Sequence, residues 1–233
     1  GYIKLGDANR VFDVGANANL NVNWVISSAN PALGALTKNG SGTLTLNAFN
    51  EYTGGTTVNA GTLVLGHATN TLANAGAVTV NGGTLSLGTN NDTIGALTLT
   101  GGSITGTTGV LTASSLTLQN GTVSAILAGS ASINKTTSGT LTLAGNNTVS
   151  GGITLSAGQL NLNASGALGS GNFTIQGGSL GNTSGSSVTI SSSASQFWNA
   201  NFTYAGPNDL NLGTGAVAMN ATRTITVDSG TLT

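Results

Sequence analysis

The sequence predicts an all-β protein, one right-handed parallel β-helix (a β-solenoid) of about 11 coils of roughly 20 residues each. Three observations predict it. A short string recurs along the chain: an apolar-Thr-apolar triplet, a two-residue break, a Gly, one polar residue and another apolar residue. Within each copy the apolar residues alternate with Thr, Ser or Asn, the period-two signature of strands with one buried and one wet face. Helical spacing is sustained nowhere.

The copies follow in order. Thr57-Val58-Asn59-Ala60-Gly61-Thr62-Leu63 precedes Val78 to Leu85, Leu97 to Ile104 and Leu116 to Val123, and then come Ile153 to Leu160, Phe173 to Leu180 and Ile225 to Leu232. Their glycines fall at 61, 83, 102, 121, 158, 178 and 230, so the gaps are 22, 19, 19, 37, 20 and 52 residues, the 37 reading as two turns near 19. A unit with so few apolar side chains closes no core alone, but stacked units bury a continuous column of Val, Leu and Ile. Short strands around Asn-Gly or Gly-Gly breaks also fit hairpins in an antiparallel sandwich or barrel, a reading that ranks second. At ~4.8 Å per stacked strand the coils would form a rod ~50 Å long, and strand twist favours a right-handed course.

Composition fits an elongated extracellular object. Five Lys/Arg and six Asp/Glu leave a net charge of −1 in 233 residues, so solubility rests on Thr, Ser and Asn. This excludes a basic nucleic-acid surface and a polybasic membrane patch. With no cysteine there is no disulfide, thiolate metal site or cysteine nucleophile. No charged segment leads into an apolar stretch as in a signal peptide, and no apolar run approaches the ~20 residues of a membrane span.

A coarser repeat overlies the fine one. Lys38, Gly40, Gly42, Leu44, Leu46, Asn50, Tyr52, Gly54, Gly55, Val58, Gly61 and Leu63 return, 135 − 38 = 97 residues later, as Lys135, Thr137, Gly139, Leu141, Leu143, Asn147, Val149, Gly151, Gly152, Leu155, Gly158 and Leu160. The string from Lys38 to Leu65 resembles the passenger-associated β-strand repeat of bacterial autotransporters. That pattern runs Lys-x-Gly-x-Gly-x-Leu-x-Leu, then Asn-x-Tyr-x-Gly-Gly-x-x-Val, then Gly-x-Leu. The second copy departs from it at Thr137 and Val149 and is a degenerate member. Arg10-Val11-Phe12-Asp13-Val14 resembles the strand that precedes the motif, and Arg223-Thr224-Ile225-Thr226-Val227 is expected to repeat it.

The resemblance implies a right-handed β-helical stalk in a cell-surface or secreted bacterial protein, exported through the outer membrane by a C-terminal barrel. Residues 1–233 read as a single β-helix segment cut from a longer tandem array, with repeat copies around 38–87 and 135–180. If so, Gly1-Tyr2-Ile3 and Leu232 each pair with a neighbouring coil, because uncapped solenoid ends template aggregation.

Candidate chemistry is sparse. His67, the single histidine, follows Leu63-Val64-Leu65-Gly66 in a predicted turn, and a triad or metal centre would need partners for it. Asp7, Asp13, Glu51, Asp92, Asp209 and Asp228 are scattered, and calcium coils of the Gly-Gly-x-Gly-x-Asp type are absent. Lys38, Lys135, Arg10 and Arg223 are expected at recurrent surface or turn positions. Trp24 is expected to point inward with Val22 and Ile26, and Tyr52 to pack in a corner. Phe197-Trp198, Phe202 and Tyr204 cluster where the glycine punctuation lapses, as rings filling an enlarged coil. Asn at breaks such as Asn81-Gly82 and Asn120-Gly121 suits left-handed turns and internal amide ladders.

Thr43/Thr45, Thr98/Thr100, Thr140/Thr142 and Thr222/Thr224/Thr226 give outward Thr-x-Thr rows, but the copies between Val58 and Val80 are expected to break the ladder. The sequence thus reads as a non-enzymatic stalk or filament segment, adhesive or self-assembling, with no cofactor, no nucleic acid partner and no membrane span in this segment. Its expected partners are neighbouring coils of the same or an identical chain, end to end, and host or cell-surface glycans. The alternatives are an ice- or carbohydrate-binding solenoid using the Thr rows, and a β-helix polysaccharide-degrading enzyme.

Overall fold

Because each apolar-Thr-apolar triplet carries only one buried face, its strands must find apolar neighbours from other coils, and they do so in parallel. The computed structural model describes residues 1–28 and 34–233, and among these there is no helix. The chain is a parallel β-solenoid of about 11 turns. It divides into two compact units, Gly1–Ser115 and Leu116–Thr233.

In the first unit each coil supplies one strand to each of two sheets. One sheet stacks Asn9–Asp13, Ala35–Asn39, Thr56–Val58, Val78–Val80 and Asp92–Leu99, and the other stacks Asn19–Val22, Thr43–Leu46, Thr62–Leu65, Thr84–Gly88 and Ser103–Gly106. Register places like on like. Leu44, Leu63, Leu85 and Ile104 form one inward column, and Lys38, Val58, Val80 and Leu99 form another. Leu44, Leu63, Leu85 and Ile104 are all fully buried, each contributing about 2 kcal/mol of apolar burial.

The second unit repeats the scheme. Ile133–Lys135, Ile153–Leu155, Phe173–Ile175, Gln196–Trp198 and Val217–Ala218 form one sheet. Gly121–Val123, Thr140–Leu143, Gln159–Leu162, Ser179–Gly181, Phe202–Tyr204 and Ile225–Val227 form the other. Its columns run Leu141, Leu160, Leu180 and Tyr204, and Lys135, Leu155, Ile175 and Trp198. The strands pair in parallel with strands of neighbouring coils, so the hairpin reading is overturned: a hairpin joins consecutive antiparallel strands.

Two expectations fail for local reasons. Trp24 is 57 % exposed although Val22 and Ile26 are buried. A bend at Trp24 separates Asn19–Val22 from Val25–Ser27 and resets the in-out alternation. Arg223 to Val227 is not equivalent to Arg10 to Val14. Asn9–Asp13 pairs with the strand that carries Lys38, whereas Ile225–Val227 pairs with Phe202–Tyr204, in the stack that contains the Leu141 strand.

Candidate functional site

The repeat's chemistry collects at the corner that follows the lysine strand. Ala35–Asn39 ends with Lys38 pointing inward, stacked on Val58. The side chain is fully buried, not at the surface position expected for it. Gly40 then turns the chain with φ +70°, a conformation that only glycine adopts without strain. This aims carbonyls back at the lysine: Nζ donates to Asn39 O at 2.6 Å, Gly40 O at 2.7 Å and, in the next coil, Ala60 O at 3.2 Å. Burial lowers the ammonium pKa, and the Asp13 carboxylate opposes that shift. A long charged side chain is tolerated inside because its three N–H donors meet three acceptors there.

The degenerate copy keeps the arrangement. Lys135 is fully buried and its Nζ donates to Thr137 O and to Ala157 O. Thr137 stands where Gly40 stands in the first copy, and the coil before it explains why. Thr137 N donates to Gln119 Oε1 at 3.2 Å and its hydroxyl donates to Gln119 O at 3.3 Å, so a side chain is anchored there rather than repelled. At Gly40 an added Cβ would instead collide with Val14 O and Asp13 Oδ1.

Asparagine ties the next corner. Asn50 Oδ1 accepts from Ile26 N at 2.7 Å, and Asn50 Nδ2 donates to Thr71 O at 2.5 Å. Asn147 does the same between Leu127 N at 3.0 Å and Ala167 O at 2.9 Å. Each amide therefore bonds the coil before it and the coil after it. Tyr52, fully buried, pairs its hydroxyl with Thr56 Oγ1 at 2.6 Å, and burial raises its pKa above the ordinary value. In the second copy these two positions are Val149 and Ile153, both buried. A hydrogen-bonded pair has been exchanged as a unit for an apolar pair.

The family model of the passenger-associated-transport-repeat matches residues 36–65 and 133–162. The chain carries two copies of that repeat. The two matched segments are similar to repeats of autotransporter passengers. No curated protein and no solved structure matches the chain.

The remaining motif residues of the transport repeat are backbone devices or core. Gly42 N donates to Val14 O at 2.8 Å, Gly54 N to Gly34 O at 3.0 Å, and Gly55 O accepts from Leu36 N at 3.0 Å. Gly139 O accepts from Gln159 N at 3.2 Å, and Gly158 O accepts from Ser179 N at 2.8 Å. Leu44, Leu46, Val58, Leu63, Leu141 and Leu143 are core.

Asp92 occupies the asparagine role without being an amide. It is 3 % exposed, and its carboxylate accepts from Leu72 N and Thr93 N, each at 2.9 Å. Burial raises its pKa to about 6, against the backbone N–H donors and the nearby His67. His67 itself lies in the bend after Thr62–Leu65, bonded through Nδ1 to Thr69 O at 2.6 Å and edge-on to Phe49. Among the described residues no three of His, Asp and Glu gather as metal ligands would, and no helix is long and apolar enough to cross a membrane.

The outward faces bear out one expectation and correct another. Single columns continue in direct register, Thr57 with Thr79 and Thr98, and Thr43 with Thr62, Thr84 and Ser103, but the Thr-x-Thr pair breaks between Val58 and Val80, where Thr45 meets Val64. The asparagine ladder is external rather than internal. Asn81 Nδ2 donates to Asn59 Oδ1 and Asn59 Nδ2 to Asn39 Oδ1, both at 2.9 Å and exposed. Among non-glycine residues only Asn17 and Asn70 take positive φ in the described structure, so Asn81 and Asn120 are not left-handed turn residues. Of the clustered rings, Phe202 and Tyr204 are core, whereas Phe197 and Trp198 are half-buried, with Trp198 edge-on to Phe202 at 5.3 Å.

Proposed function

We propose that this chain is a non-enzymatic scaffold segment of a secreted or cell-surface passenger, a stalk that holds itself extended outside the cell. One observation carries the reading. The buried groups best equipped for chemistry, Lys38, Lys135 and Asp92, are all bonded to backbone at coil corners. Strength is then distributed over the ladder and the apolar columns, coil by coil.

Neighbouring coils of the same or an identical chain are the proposed end-to-end partners. The first coils expose Tyr2, Val11, Leu20 and Trp24, and the last expose Val217, Met219 and Val227, apolar side chains of the kind a further coil would cover. The test is electron microscopy of the protein from its native source, with antibody against this chain on intact cells. Surface labelling and rods with a ~4.8 Å axial repeat support the reading. A discrete particle that hydrolyses polysaccharide, with turnover lost on Asp92→Asn, overturns it.

A second reading, binding of ice or a regular glycan surface, draws support from the unbroken register of Thr43, Thr62, Thr84 and Ser103. Thermal hysteresis that disappears in Thr62→Lys would favour it.

A further inference from the structure

In the second unit the glycine punctuation lapses between Gly178 and Gly230, and the backbone ladder opens within that stretch. Before it, bonds step evenly from coil to coil: Ser150 N donates to Gly129 O and Ser170 N to Val149 O, 150 − 129 = 21 and 170 − 149 = 21 residues back. The next step differs. Ser191 N donates to Ser165 O, 191 − 165 = 26 residues back, and no backbone bond joins Ser192, Ser193 or Ala194 to Gly169, Ser170 or Gly171. Pairing resumes where Phe173 N donates to Ser195 O at 3.0 Å.

The gap is a cavity of about 450 Å³, lined by Thr148, Ser170, Ser191, Ser192 and Ser193 beside the buried Asn147. Small-ligand sites span roughly 300–1,000 Å³. Both walls are fixed. Asn147 is held by Leu127 N and Ala167 O, and the Ser191 hydroxyl donates to Ser165 O at 3.1 Å. The carbonyls of Ser192 and Ala194 lie so close to Gly213 and Gly215 that a Cβ at either glycine would collide with them.

We propose that this cleft binds a neutral glycan. No ionisable side chain lines it, so neither a charged sugar nor a charged peptide finds a counter-ion. Five hydroxyls line it, and those of Thr148 and Ser193 have no protein partner among the described residues. Hydroxyls both donate and accept, which suits the hydroxyls of a sugar. The proposal goes beyond the scaffold reading, since the coils fold whether or not the cleft is filled.

The test is an amide-resolved NMR titration of the whole chain with neutral oligosaccharides, cellotetraose and maltotetraose first and then a neutral glycan set. Shifts confined to Thr148, Ser170 and Ser191 to Ala194 are expected. Ser193→Trp and Thr148→Trp, one from each wall and both at exposed positions, should each weaken binding by at least about tenfold, with an unchanged melting temperature as the control for folding. Three results overturn the proposal: no shift with any neutral glycan, affinity unchanged in a folded Trp variant, or tighter binding of a neutral Ser/Thr peptide at the same amides.

Discussion

The Lys38 ammonium lies 2.8 Å from the point that a Cβ on Gly61 would occupy. The pair therefore shares one corner: Gly61, at φ +62°, leaves the space that the lysine head fills. The second copy has the same relationship between Lys135 Nζ and Gly158, at 2.6 Å with φ +69°. Gly61→Ala should cost about 2–4 kcal/mol, from left-handed strain plus overpacking. Lys38→Met leaves the Gly40 and Ala60 carbonyls without a donor, while Asn39 O keeps its bond from Val14 N at 3.1 Å, and should cost at least ~3 kcal/mol. Because removing the lysine also removes one of alanine's clashes, urea denaturation of the double variant should show a loss smaller than the sum. Strict additivity would separate the two residues.

This corner marks the limit of what was legible. The fold was, because a period of two inside a period near 20 admits few other architectures, and the backbone glycines and Leu columns followed from it. Lys38 was not. A linear string prices a charge as solvated, and only the folded turn shows Asn39 O, Gly40 O and Ala60 O converging on one point. The Thr57–Thr79–Thr98 column survives a difference in coil length. Coils of 79 − 57 = 22 and 98 − 79 = 19 residues differ in length, and the longer one takes up its extra residues outside the strands, leaving register intact. Asp92 looked isolated because its likeness to Asn50 and Asn147 is one of place and bonding.

The exchange of Tyr52 and Thr56 for Val149 and Ile153 makes the first pair separable by mutation. Tyr52→Phe leaves the Thr56 hydroxyl, 3 % exposed, without its partner and should cost about 1–3 kcal/mol. Adding Thr56→Val should recover most of that loss. Thermal unfolding of the two variants checks it, and a double variant less stable than Tyr52→Phe would contradict the pairing.

The inward register of the second unit is tested at one strand. Leu141 and Leu143 are fully buried, and Thr142 between them faces outward, its hydroxyl accepting from Asn161 Nδ2 at 3.1 Å. Leu141→Asp or Leu143→Asp puts an unpaired charge into the column and should cost more than ~4 kcal/mol, whereas Thr142→Asp should cost under ~1 kcal/mol. Hydrogen exchange should show the first two opening the coils around Gln159–Leu162. Equal tolerance at all three positions would overturn the register.

Asp92 makes the stability of the first unit depend on pH in a direction opposite to that of most carboxylates. Its folded pKa, about 6, lies above the ordinary 3.8, chiefly through burial. A raised folded pKa means that the folded state holds the proton more tightly than the unfolded chain does. Stability from this group is therefore greatest below pH ~4 and is lost as pH rises through ~6. At neutral pH the buried charge costs about 2–3 kcal/mol. Asp92→Asn removes that charge and restores the amide found at Asn50 and Asn147, whose Nδ2 bonds the following coil. The variant should be more stable than the parent at pH 7.5, and the gap should close by pH 4. Urea midpoints across that range decide it, and a gap that does not vary with pH would show that Asp92 does not titrate there.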